Sequence, residues 1–246
     1  SLGAGVDHIL KLPNYKNTPI IRIQDPNMQS RMFNHVLSQI LIYQLKLDEY
    51  NKSQKKNIWL DERHTSLNKD LTIGILGLGY LGKFIANKLK SLDYNIIGYK
   101  NTFSTGKNSI PIYYKRSLKT FLKLSDIVVS VLPATTETRD LIDKSFLNQM
   151  KKKSLLINIG RGSSLNEIDL LKHSQRNKDF FASLDVFKTE PLPKNSKFWK
   201  NPNITITPHV AAITDVDSST NYIFAKFEQF RTKGKIKSDV KIKKGY

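Results

Sequence analysis

The sequence predicts an α/β chain built around a doubly wound parallel sheet, and three observations carry that expectation. From Leu71 onward, short apolar runs alternate with helical apolar spacings. The first of these runs, Ile73 to Leu76, stops at Gly77, and further glycines follow at 79 and 82 before a helical pattern begins. Turn signals at Asn201-Pro202 and Thr207-Pro208 bracket the last short run, Ile204 to Ile206.

Taken in order, residues 1–12 read as a strand end leading into a glycine-rich loop, and Ile20 to Ile23 as a short strand. Met28 to about Lys52 is the longest helical pattern. Met32, Val36, Ile40, Tyr43 and Leu47 share one face, with Leu37, Leu41 and Leu45 beside them. So wide an apolar stripe suggests contact with both its own domain and a second copy of the chain. Residues 52–70, with Trp59, read as a polar excursion. Strand 72–76 then leads to helix 80–91 and strand 95–99. Helix 117–123 precedes strand 127–132, helix 143–149 precedes strand 154–159, and helix 166–175 precedes strand 180–184. Strand 204–206 and helix 215–232 follow, and a lysine-rich tail ends at Tyr246.

The Gly77–Gly82 stretch, G-L-G-Y-L-G, is strand, tight turn and helix. Gly77 allows the turn, Gly79 lets a pyrophosphate approach the backbone, and Gly82 lets the helix pack on the strand. The new helix aims unpaired N–H groups and its positive dipole end at that pyrophosphate, with Tyr80 and Leu81 in its first turn. This is a Rossmann-type dinucleotide elbow. The end of strand 95–99 should meet the adenosine ribose, where NAD sites place an acid for the 2′-hydroxyl. Here the chain reads Tyr99-Lys100-Asn101-Thr102. A lysine without a neighbouring acid attracts a 2′-phosphate, so NADPH is expected over NADH.

The composition narrows the function classes. The chain has 246 residues, no cysteine and a formal net charge of +19. There is no disulfide framework or cysteine-ligated metal, and no metal site is expected. No apolar run reaches a membrane span and no leader sequence is visible, so a cytoplasmic, membrane-free protein is expected. The lysines are scattered, without a basic helix carrying interleaved aromatics, so no specific nucleic acid partner is expected. The charge can still draw anionic ligands inward.

Three later segments fall at expected strand ends, where this architecture places its chemistry. They hold Arg161 in Asn158-Ile159-Gly160-Arg161-Gly162, Glu190 in Asp185 to Pro193, and His209 in Thr207-Pro208-His209. Singly, each has a structural explanation: a surface ion pair, a solvated carboxylate, a hydrogen-bonded imidazole. Together, and in this order behind the glycine elbow, they point to one site.

The motifs GAGVD at 3–7, GILGLGYLG at 74–82, LPATTET at 132–138, NIGRG at 158–162, DVFKTEPLP at 185–193 and TPHVAAIT at 207–214 resemble those of the D-2-hydroxyacid dehydrogenase family, in particular its glyoxylate/hydroxypyruvate reductase branch. The resemblance implies reduction of a small 2-oxo acid with hydride from NAD(P)H. It implies that Arg161 binds the substrate and polarises its carbonyl. It implies that His209 is the proton donor and that Glu190 is the partner that favours the protonated imidazole. Gly3, Ala4, Gly5 and Val6 resemble the loop that grips the substrate carboxylate. Leu132, Pro133, Ile159, Gly160, Asp185 and Ala211 resemble positions lining the nicotinamide. A homodimer is implied as well.

The family carries a further half-domain ahead of the GAGVD loop. Residues 1–25 and 214–246 are therefore expected to form an incomplete flavodoxin-like substrate domain, as a fragment or a truncation, around a dinucleotide domain at 26–213. Some relatives act as dinucleotide-sensing corepressors, so a cofactor-binding protein without turnover is the alternative.

Overall fold

The computed structural model describes residues 5–16, 18–61, 65–101 and 109–240. Seven strands form one sheet: β1 (Thr72–Leu76), β2 (Asn95–Lys100), β3 (Ile112–Tyr114), β4 (Ile127–Ser130), β5 (Ser154–Asn158), β6 (Phe180–Leu184) and β7 (Ile204–Ile206), in the order β3-β2-β1-β4-β5-β6-β7. Every pairing is parallel. The order reverses between β1 and β4, so the connections leaving those strands diverge and open a crevice at their carboxyl ends. The doubly wound α/β fold is the one the sequence predicts.

The strands are apolar on both faces because both faces are covered. On one side Ile73, Ile75, Ile127, Val129, Leu155 and Ile157 pack with α2 (Pro26–Gln44) and α4 (Tyr80–Lys90) through Met32, Val36, Ile40, Ile85 and Leu89. On the other, Leu76, Val128, Leu156 and Leu184 meet α5 (Leu118–Leu124), α6 (Lys144–Gln149) and α7 (Glu167–Arg176) through Phe121, Leu122, Phe146, Leu147 and Leu170. Side-chain caps start α6 and α7: the Asp143 carboxylate accepts from Phe146 N–H at 2.8 Å and Asn166 Oδ1 from Asp169 N–H at 3.2 Å.

Several local expectations are corrected. The 28–52 pattern is two helices, α2 and α3 (Leu47–Gln54), separated at Lys46 with φ of 55°. Gln44 is drawn inward there, donating to Ser66 O at 2.7 Å and accepting from Tyr94 OH at 2.7 Å, and the chain turns although the apolar spacing runs on. Within the chain α2 already buries Met28, Met32, Val36 and Ile40. The surplus apolar surface lies beyond it, at Leu47, Ile58 and Trp59, the last 93% exposed. Ile20 to Ile23 is not a strand. Its backbone is bonded irregularly to the C-terminal segment, with Asp239 N–H on Ile20 O at 2.9 Å. Residues 7–10 form a short helix, α1, where a loop is expected. Strand β3 is absent from the sequence expectation. Strands β4 and β5 end at 130 and 158, short of the expected 132 and 159.

Asp25 ties the two ends of the chain together. It is 2% exposed, and one carboxylate oxygen accepts from Asn27 N–H (2.8 Å) and from Ser218 Oγ–H (2.9 Å). The other accepts from Asp215 N–H at 3.3 Å, so one side chain serves the starts of both α2 and α8 (Val216–Lys233). Asp25→Ala removes the shared acceptor at the starts of two helices and is expected to cost roughly 2–4 kcal/mol in urea unfolding. A loss below about 1 kcal/mol would remove that role.

Candidate active site

The glycine elbow has the geometry its residues demand. Gly77 has φ of 101°, and the place of a side chain there is closed by Val131 O at 3.0 Å. A Cβ on Gly82 would overlap Gly77 O, so the first turn of α4 lies against the end of β1. Gly79 is the N-cap of α4 and no side chain caps that end. A Cβ built on Gly79 meets nothing within 4 Å. Open space in front of bare N–H groups and a helix dipole fits a pyrophosphate. Tyr80 is about half exposed, and Leu81 packs partly against the α2–α4 layer. Lys100 closes β2, half-buried, and Asn101 is exposed, while Thr102 lies outside the described residues.

The ends of β4 and β5 meet on the far side of the crevice. A Cβ on Gly160 would stand 2.6 Å from Leu132 N and O, so main chain packs on main chain at that point. Ile159 N–H bonds Ser130 O at 3.1 Å. Leu132 is 9% exposed and Pro133 half-buried. Thr138 holds this loop by donating from Oγ1 to Pro133 O at 2.6 Å. It lies inside the LPATTET motif, yet nothing in the sequence singles it out.

Arg161 follows directly. Its backbone oxygen accepts from Ser164 Oγ–H at 2.8 Å, and its own Nη1 donates to Gly160 O at 2.8 Å. The guanidinium lies against Gly5, where a Cβ would overlap Nη2, Cζ and Nε. The amino-terminal loop and the β5 loop therefore meet at one place. Val6 turns its side chain into a small cluster with Ile20 and Val240, and its carbonyl starts α1. Gly3 and Ala4 lie outside the described residues. Gly5→Ala has an identifiable consequence. The atom it strikes is the end of a flexible side chain, so unfolding should change little. The guanidinium must leave its seat, and kcat/KM for an anionic substrate is expected to fall about 10–100-fold. Full retained activity would show that this contact does not set the arginine's position.

The next glycine joins the arginine to the remaining residues. A Cβ on Gly162 would overlap the Phe187 main chain, so the β5 and β6 loops touch. Phe187 N–H donates to Glu190 Oε1 at 2.8 Å, and Glu190 Oε2 lies 2.7 Å from His209 Nδ1. With Nδ1 carrying the proton toward the carboxylate, Nε2 is left to face a ligand. Both side chains remain open to solvent, His209 at 45% and Glu190 at 36%. Packing contacts and chain neighbours thus run along one rim of the sheet, through Gly5, Arg161, Gly162, Phe187, Glu190 and His209. Asp185 and Ala211, both 1% exposed, lie beneath that rim. The Asp185 carboxylate is bonded to Thr207, Val210 and Ala211, a role for Thr207 that the sequence reading lacks.

The model of the D-isomer specific 2-hydroxyacid dehydrogenase NAD binding domain matches residues 37–211. A glyoxylate/hydroxypyruvate reductase A of Photorhabdus laumondii is 36% identical over an alignment of 252 positions, spanning 100% of this chain and 80% of the relative. The crystal structure of an NADPH-dependent glyoxylate/hydroxypyruvate reductase from Sinorhizobium meliloti, in complex with NADP and sulfate, superposes with a TM-score of 0.94 at 32% identity. It covers 100% of this chain and 79% of that one. A D-isomer specific 2-hydroxyacid dehydrogenase from Xanthobacter autotrophicus, in complex with NADPH and MES, has a TM-score of 0.92 at 28% identity, covering 99% of this chain and 100% of the other. With the elbow, the strand-end residues and these likenesses in agreement, the chain belongs to the D-isomer specific 2-hydroxyacid dehydrogenase family.

Proposed function

We propose that this protein reduces a small 2-oxo acid, glyoxylate or hydroxypyruvate, to the 2-hydroxy acid with NADPH. The observation that carries the reading is the Glu190–His209 pair at 2.7 Å, with the Phe187 main chain that holds Glu190 packed on Gly162, the residue after Arg161. The bound cofactor supplies the hydride; the chain's residues bind, orient and protonate. Arg161 pairs with the substrate carboxylate and stabilises negative charge growing on the carbonyl oxygen. His209 gives that oxygen a proton from Nε2, while Glu190 holds Nδ1 and stabilises the imidazolium. The N–H groups of the 77–82 elbow hold the pyrophosphate, and Leu132, Pro133, Ile159, Gly160 and Ala211 line the nicotinamide end. Gly5 and Val6 belong to the substrate loop.

The cofactor-binding reading without turnover predicts NADPH binding and no oxidation. Following the loss of reduced nicotinamide absorbance with glyoxylate and hydroxypyruvate separates the two. Lys100 supports the choice of NADPH, and kcat/KM for NADPH should exceed that for NADH by about tenfold or more. A preference for NADH would reject that choice.

The same reading divides the chain at two crossings, with 26–213 holding the cofactor and 1–25 with 214–246 forming the substrate side. The packing of Val6 and Ile20 on Val240 supports that division. A homodimer is part of the proposal. Its support is the apolar surface at Leu47, Ile58 and Trp59 rather than the middle of α2. Sedimentation as a monomer, unchanged by Trp59→Ser, would remove it.

A further inference from the structure

Two carboxylates leave the β6 loop toward His209, and they address different parts of it. Glu190 meets the ring. Asp185 meets the backbone on either side. Its Oδ1 accepts from Thr207 Oγ1–H at 2.6 Å and from Val210 N–H at 2.9 Å, and its Oδ2 accepts from Ala211 N–H at 3.0 Å. Its own carbonyl accepts from His209 N–H at 2.9 Å, and its N–H is fixed to Asn158 O at 3.0 Å. At 1% exposure the carboxylate is out of water, and these donors replace its hydration.

The conformation being held is an unusual one. His209 has φ of 55°, in the left-handed region that L-residues rarely occupy. That kink lets Val210 and Ala211 turn their N–H groups back onto Asp185 while the imidazole points the other way, to Glu190. An extended residue at 209 could not do both. His35 of α2 faces Asp185 as well. Burial pushes its imidazole below the ordinary value while the Asp185 charge pulls it up.

We propose that Asp185 is a positioning residue for the acid–base step. By gathering the Thr207, Val210 and Ala211 donors, it holds the left-handed turn at His209 and so aims the imidazole at Glu190 and the substrate. This rests on the reading of His209 as proton donor, and it differs from a role in lining the nicotinamide. A lining group affects cofactor affinity; a positioning group affects turnover and acts only through His209.

Asp185→Asn keeps the shape but sets an amide donor against one of the N–H or O–H donors. It is expected to lower kcat about 100-fold, with KM for the oxo acid and the Kd of NADPH each within about threefold. In a His209→Gln background the same change should cost less than about threefold more, since the two act as one unit. Amide exchange over 207–214, measured by mass spectrometry without cofactor, should quicken in Asp185→Asn. Should Asp185→Asn not fold, Thr207→Val removes one donor and keeps the charge. It is then expected to lower kcat about tenfold with the same unchanged Kd.

A more than tenfold weaker NADPH Kd with kcat retained overturns the proposal, as does an equal loss in the His209→Gln background. Unaltered exchange at 207–214 also overturns it. If the unsubstituted protein binds NADPH but turns over neither oxo acid, the reductase reading fails by itself. The exchange and affinity measurements still decide whether Asp185 holds the turn.

Discussion

His209→Gln is expected to lower kcat for glyoxylate or hydroxypyruvate by about 10³-fold, close to 4 kcal/mol of transition-state stabilisation, and to leave NADPH binding intact. The split follows from where the contacts lie. The imidazole is held at Nδ1 by Glu190, which is itself held by Phe187 N–H, so Nε2 has a fixed direction. Glutamine has similar reach but no proton to give at neutral pH. The pyrophosphate elbow is built from Gly77, Gly79 and the start of α4, with no part from residue 209. Glu190→Gln should cost less, about 10–100-fold, because the ring remains and only its charged partner is lost. A His209→Gln enzyme keeping more than about a tenth of its kcat would exclude the imidazole as the proton donor.

Arg161→Lys has the second-largest expected effect, a loss of about 10²–10³-fold in kcat/KM that appears in KM as well as kcat. A lysine retains the charge, so any loss reports geometry. Nη1 donates to Gly160 O and the guanidinium rests against Gly5, so the direction of its planar fork is set, and such a fork suits a carboxylate and a carbonyl oxygen. An ammonium on a flexible stem cannot reproduce that fork. The β5 loop should hold its shape in the variant, because the Ser164 donors bind the backbone oxygen of residue 161 and not its side chain. The measurement is steady-state kinetics beside thermal unfolding. Near-normal kcat/KM in Arg161→Lys would mean that charge alone suffices there.

Much of the fold is legible because parallel strands covered on both faces are almost wholly apolar. Ile73 to Leu76, Ile127 to Val129 and Leu155 to Ile157 stand out from a lysine-rich background for that reason. β3 does not stand out: it is three residues long, half-buried and at the sheet edge, so little burial selects its side chains. Ile20 to Ile23 fails in the opposite sense. Ile20 serves a small cluster with Val6 and Val240, the latter 220 positions beyond it, and burial alone does not make a ladder. The break at Lys46 is invisible because the event that sets it is the burial of Gln44 against Tyr94 and Ser66.

The site divides along the same line. The residue types, their order and their positions at strand ends follow from the chain, because a glycine elbow and a strand-terminal arginine, carboxylate and histidine are local patterns. Their convergence does not. It depends on Gly5 admitting Arg161, on Gly162 admitting Phe187, and on Asp185 gathering four neighbours of β7 around a left-handed histidine. Those contacts join residues from about 20 to more than 150 positions apart. Parallel register sets them, by delivering each strand's end to the same edge of the sheet, and no local preference encodes that register.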